Sequence, residues 1–168
     1  MTYILYIILI FIALKYLVLT APFVPSHAID LKNIAELVEK YKIKSLVDLG
    51  CGNGRIIGYL SKKYPDKNFK GIEIAFLLWS FCSLRFLKRK NVAISYGNIY
   101  WHDWTDNDAI FLFWMPKSLK KNIDKIKNKV KEGQYIISYA FEINGLSDKL
   151  LERVKKSEAT MPIYIYRI

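Results

Sequence analysis

At 168 residues the chain has room for one α/β core and not for two. Two cysteines and a net charge of +11 exclude a disulfide-stapled secreted module and an acidic disordered chain. The bases are mostly Lys, in a chain also rich in Ile, Asn and Tyr, which reads as compositional bias more than as a nucleic-acid footprint.

Residues 1–21 are apolar except for Thr2, Lys15 and Thr20. A helix needs roughly 20 such residues to cross the ~30 Å core of a bilayer. Lys15 and Tyr16 stand near the end of the stretch, where a lysine snorkels and a tyrosine sits among head groups. The expectation is a single transmembrane anchor over 1–21. Lys15 is the only Lys, Arg, Asp or Glu before Asp30, so the basic flank follows the anchor and the rest of the chain is expected on the cytoplasmic side. Residues 22–27, with Pro22-Phe23-Val24-Pro25-Ser26, form a stiff connector, because each proline restrains itself and its neighbour. The remaining 28–168 reads as one folded domain.

That domain opens with a helix carrying Ile29, Ile34, Leu37, Val38 and Tyr41, with Ser26 or Asp30 as its cap. Strands are expected at 45–49, 69–74, 92–96, 109–114 and 135–141, and helices at 54–64, 76–90 and 117–131. The alternation argues for a mostly parallel sheet with right-handed crossovers. The segments 151–159 and 164–168 leave no room for a helix between them, so they are expected as an antiparallel hairpin at the sheet edge.

The run Val47-Asp48-Leu49-Gly50-Cys51-Gly52-Asn53-Gly54-Arg55 is a strand end with an acid, then glycine at every second position, then a helix start. The dinucleotide pattern G-x-G-x-x-G fails, because Arg55 and Ile57 stand where its third glycine belongs. The spacing acid-x-G-x-G-x-G is instead similar to the first motif of class I methyltransferases that use S-adenosylmethionine (SAM). On that resemblance Gly50, Gly52 and Gly54 wrap the amino-acid tail, and Asp48 accepts from its ammonium directly or through water. Glu73, ending the second strand, would grip both ribose hydroxyls. Asn98, after the third strand, would read the exocyclic amine of adenine, with Ile74, Ala75 and Ile99 sandwiching the ring. The fourth strand runs into Phe113-Trp114-Met115-Pro116, which lacks the Asn/Asp-Pro-Pro-aromatic clamp of amide and base methylases. Trp114 and Pro116, together with Phe23, are the acceptor-pocket candidates, with no general base assigned. Tyr100-Trp101-His102-Asp103-Trp104 reads as a substrate lip or as aromatics at a membrane surface, with His102 structural. No metal spacing and no Ser/His/Asp set is present, and Cys51 and Cys82 read as plain thiols.

An apolar N-terminal stretch, Pro-Phe-Val-Pro-Ser, the glycine motif with Arg55-Ile56, and Gly71-Ile72-Glu73-Ile74 together resemble the membrane-associated seven-β-strand protein-lysine methyltransferases. Members of that group modify the mitochondrial ATP synthase c-subunit and the adenine nucleotide translocase. The resemblance spans about residues 1 to 141. Cys51 and Asn53 replace the group's usual Ser and Asp, Ala75 its Asn, and Tyr139-Ala140-Phe141 its Arg-Phe-Pro. It implies a Rossmann-like class I fold, SAM as cofactor and lysine side chains of a protein at the membrane as acceptor, without nucleic acid. Two rivals stay open: a lipid amine or small hydrophobic metabolite as acceptor, and a SAM-binding module without catalysis. Oligomeric state is unassigned.

Overall fold

A computed structural model describes residues 3–9 and 26–168. The anchor expected over 1–21 lies largely outside them, as does Phe23 in the connector. Residues 3–9 are helical with exposed side chains, and among the described residues no helix is long and apolar enough to cross a membrane.

The elements run α1 (Asp30–Lys40), β1 (Ser45–Leu49), α2 (Arg55–Lys63), β2 (Asn68–Glu73), α3 (Phe76–Phe86), β3 (Val92–Tyr96), β4 (Ala109–Leu112), α4 (Pro116–Lys127), β5 (Tyr135–Tyr139), β6 (Leu150–Val154) and β7 (Ile163–Arg167). They build a seven-stranded sheet in the order β3-β2-β1-β4-β5-β7-β6. The first five strands are parallel. β7 inserts antiparallel between β5 and β6, which gives the expected hairpin with its later strand inside.

Strand alternation sends residues to two cores. Leu46, Phe111, Ile137 and Ile165 face a layer that also buries Ile34 and Val38 of α1, Ile57 and Leu60 of α2, and Cys82 and Phe86 of α3. Val47, Ile110, Ile136 and Tyr166 face the other layer, closed by Leu119, Ile123 and Ile126 of α4 and by Trp104. Trp104, expected in a lip, is fully buried and donates its indole N–H to the Ile99 carbonyl at 2.9 Å.

Several boundaries differ from the sequence reading: the helix expected to residue 131 ends at Lys127, the strand expected to residue 159 ends at Val154, and four further differences have a local reason. Neither Ser26 nor Asp30 caps α1 through its side chain. Asp30 lies inside the first turn, and its carboxylate accepts from the Tyr139 hydroxyl at 2.6 Å and the Met161 amide at 3.2 Å. α3 stops at Phe86, short of Lys90, where Arg89 reaches the Gly58 carbonyl and the Asn91 amide reaches those of Ser61, Tyr64 and Lys67. β4 ends at Leu112, so Phe113 and Trp114 leave the ladder. β5 ends at Tyr139 because Ala140 adopts φ 70°, a conformation rare for a residue with a Cβ.

The loop after β1 turns on glycine. Gly54 has φ +68°, and a Cβ there would meet Cys82 Sγ at 2.4 Å and Phe86 at 2.5 Å. Gly133 has φ +84° but open space around it. Gly133→Ala therefore tests strain alone, at about 1–2 kcal/mol. Gly54→Ala adds overpacking and should cost about 1–3 kcal/mol more in denaturant unfolding of the two variants.

Candidate functional site

The carboxyl ends of β1 to β4 open onto one cavity of about 620 Å³. It sits where strand order reverses between β1 and β4, the position at which open parallel sheets bind ligands. Asp48, Gly50, Gly52, Glu73, Ile74, Asn98, Ile99 and Trp114 all line it. Two expected residues do not. Gly54 lies behind the loop against Cys82 and Phe86, where it allows α2 to start close to α3. Pro116 is exposed at the first position of α4, a place that suits a residue without an N–H, and Met115 and Ser118 take the wall instead.

Glu73 is fixed by two backbone amides. One carboxylate oxygen accepts from Gly52 N–H and the other from Ala75 N–H, both at 2.8 Å. Each oxygen keeps a further lone pair for a ligand hydroxyl. Asp48 is in the opposite condition. It is 4% exposed, and no donor among the described residues meets its carboxyl. Burial first, and the neighbouring Glu73 charge second, push its pKa up to about 8. Asn98 lines the cavity where expected, and its side-chain oxygen accepts the Tyr100 amide at 3.0 Å. That bond fixes the amide orientation, leaving a second lone pair on the oxygen for an exocyclic amine and the NH₂ group as a donor for a ring nitrogen.

Cys51 also lines the cavity. Hydrogen bonding to Cys82 and then burial push its thiol up, so it stays protonated and is no nucleophile. His102 bonds the Tyr96 carbonyl at 2.9 Å, as a structural histidine does.

Away from Ile74 and Ile99, on the β4–β5 side, the wall is Phe111, Phe113, Trp114, Phe141 and Met161. Phe113 stands edge-on to Tyr139 with centroids 4.8 Å apart, and Trp114 donates its indole N–H to the Leu49 carbonyl at 2.9 Å. The strained turn at Ala140 precedes Phe141 and is tied by its amide to the Pro162 carbonyl at 2.8 Å. Ser26, the first described residue of the domain, closes this end, with its carbonyl held by Arg55 at 2.8 Å. Phe111, Phe113, Phe141 and Met161 went unassigned in the sequence. Their strand-end positions were the available signal, whereas the positive φ of Ala140 left none.

Residues 48–149, well over half of the chain, match the family described as ANTKMT methyltransferase domain. The chain belongs to this family. It is a SAM-dependent methyltransferase. A protein-lysine N-methyltransferase of Saccharolobus islandicus (strain REY15A) is 25% identical over 151 residues, spanning 88% of this chain and 93% of the relative. Among solved structures, an RNA methyltransferase from Salinibacter ruber, in complex with S-adenosyl-L-homocysteine, superposes with a TM-score of 0.75. It is 20% identical, over 86% of this chain and 94% of that one. Precorrin-6y C5,15-methyltransferase from Geobacter metallireducens GS-15 gives 0.61 at 17% identity, over 87% of this chain and 91% of its own. At these identities the two structures speak for the fold alone.

The Asp48 carboxyl has a consequence for this methyltransferase that needs no substrate to measure. Its folded pKa of about 8 lies above the ordinary carboxyl value of 3.8, so between those limits the folded state binds more protons than the unfolded one. Its contribution to stability is therefore lost as pH rises through about 8. The ligand-free melting temperature should fall from pH 5 to pH 9. Asp48→Asn should flatten that slope; an unchanged slope would place the titrating group elsewhere.

Proposed function

We propose that this methyltransferase transfers the methyl group of SAM to lysine ε-amines of a protein at a membrane. When bound, SAM supplies an electrophilic methyl carbon on a sulfonium. The observation that carries the cofactor's placement is the buried Asp48 carboxyl, which lacks a donor and adjoins a second carboxylate. A ligand bearing an ammonium draws this carboxyl into its ionised form and pairs with it by charge and hydrogen bond. Glu73 offers two fixed oxygens to a vicinal diol, and Asn98 offers an NH₂ to a heterocycle between Ile74 and Ile99.

The acceptor enters from the aromatic end. Phe113, Trp114 and Phe141 exclude water from an approaching amine and present π faces to the charge that builds on its nitrogen. The wall carries no described histidine, and a neutral amine in line with the methyl carbon needs no base in the step itself. The nitrogen lone pair forms the new C–N bond while the S–C pair stays on sulfur, and the amine proton leaves to water. Phe23 is proposed beside this end, three residues before Ser26, which lines it. The lysine-methylating relative of S. islandicus supports the choice of acceptor.

Incubation of the full chain with membranes and methyl-tritiated SAM tests the acceptor. Label is expected as methyl-lysine after protein hydrolysis; label extracted into organic solvent would assign a lipid or small-molecule amine instead. No transfer to any fraction, with SAM still bound, would reduce the protein to a binding module. Asp48→Ala and Glu73→Ala should each weaken SAM binding by about 1.5–3 kcal/mol in calorimetry.

The apolar stretch 1–21 is proposed as a single-pass anchor with the catalytic domain on the cytoplasmic side, supported by the basic residues that follow it. Removing Met1 to Thr20 should turn membrane sedimentation that survives high salt into one that high salt releases, and preserve SAM affinity. Removing the chain through Ser26 should additionally lower turnover of a soluble lysine peptide. Equal turnover in the two truncations would make the connector a tether only.

A further inference from the structure

We propose that the outward face of α3 rests on an anionic lipid bilayer and holds the cavity mouth against it. The partner follows from the membrane reading above, while the surface is a property of α3 itself.

α3 has the sequence FLLWSFCSLRF and buries only Cys82 and Phe86. Leu77, Phe81 and Leu84 are 74%, 55% and 74% exposed. Their spacing of four and three residues puts them on one stripe, which Lys88 continues past the helix end. A helix packed on a sheet ordinarily turns its apolar stripe inward. This one has an apolar stripe on each side, and the outer stripe meets nothing in the described protein. The same end of the sheet adds Ile74, Phe76 and Trp101, exposed at 55%, 55% and 80%. Phe76 meets Tyr96 edge-on and Trp79 tilts against it, at centroid distances of 5.9 and 5.3 Å. Exposed tryptophan and tyrosine beside aliphatic side chains suit the interface between head groups and acyl chains.

Charge selects the partner. From Ile74 to His102 the chain carries no acid, while Arg85, Lys88, Arg89 and Lys90 lie within or just after α3. Arg89 binds Gly58 and Ser61 of α2, which brings the exposed Lys62 and Lys63 to the same end. An anionic bilayer meets both features at once: head groups take the cations and acyl chains take the leucines. A nucleic acid would leave Leu77, Leu84 and Leu87 in water. A two-fold antiparallel pairing of α3 with its own copy would cover the leucines but offer no counter-charge to Arg85, Lys88 or Lys90. Ile74 both lines the cavity and belongs to the patch, so a bilayer on α3 lies beside the cavity mouth.

The test uses the full chain with one reporter cysteine at a time, Leu77→Cys or Leu84→Cys, labelled with an environment-sensitive fluorophore. Lys120→Cys on α4, in the opposite layer, is the control, and unsubstituted protein checks that the buried Cys51 and Cys82 stay unlabelled. Vesicles of phosphatidylcholine, with or without phosphatidylglycerol, carry nitroxide-labelled acyl chains. Quenching at positions 77 and 84 should exceed that at 120 by about twofold or more, and should grow with phosphatidylglycerol. Lys88→Glu with Lys90→Glu should reduce it while SAM affinity stays unchanged. No preferential quenching in protein that floats with the vesicles would overturn the proposal and leave the anchor and the chemistry standing. A probe already shielded without lipid would also overturn it. Doubled mass in light scattering would then assign a second copy to the face, and monomer mass would assign the chain's own N-terminal segment.

Discussion

The carboxylate of Glu73 is the interaction on which the cavity depends. One side chain joins three elements: it ends β2, takes the Gly52 amide of the loop after β1, and takes the Ala75 amide that begins α3. A buried carboxylate is tolerable only with such donors, and the glycine loop supplies one because its backbone turns through positive φ at residues 50, 52 and 54. Asp48, one strand away, receives no comparable donor and lies within the field of Glu73. The two acids therefore differ in kind. Glu73 is organised before any ligand arrives, whereas Asp48 is completed by the charge a ligand brings.

The acceptor end is organised by packing more than by polar groups. Tyr139 fixes it from behind: its ring carries Phe113, while its hydroxyl accepts the His27 amide and donates to Asp30. These bonds, with that of Arg55 to Ser26, bring the start of the domain to the end of β5. The acceptor wall is consequently backed by long-range contacts that tie Ser26, His27 and Asp30 to Arg55 and the end of β5. Burial and the bond to Asp30 hold the Tyr139 hydroxyl in its neutral, donating form.

The cofactor side was legible because its chemistry demands residue types at short spacing. Three glycines, an acid before them and an acid at the next strand end can be read without coordinates, and β1 to β5 follow from alternation of apolar runs. Of the acceptor side only Trp114 was legible among the described residues, because the rest is assembled from residues distant in sequence. Phe113 and Trp114 look like strand residues until β4 is seen to stop at Leu112, its pairing with β1 exhausted. Trp104 read as a surface aromatic because its neighbours are polar, yet the core beneath α4 takes it whole. Asn98 was placed by its position after β3, but nothing in the sequence shows that its oxygen also takes the backbone amide two residues on. Local competition of that kind leaves no periodic trace.

The insertion of β7 between β5 and β6 bears on the order in which the molecule is made. α1 is tied to the hairpin by Lys40 and Tyr41 on Glu152, by Lys156 on Glu36, and by Asp30 on the Met161 amide. These partners lie more than 100 residues apart in sequence, so α1 stays without its final contacts until the hairpin has left the ribosome. The glycine loop and the first sheet strands can form earlier, from sequence already synthesised. The half of the cavity that suits the cofactor thus precedes the half that suits the acceptor.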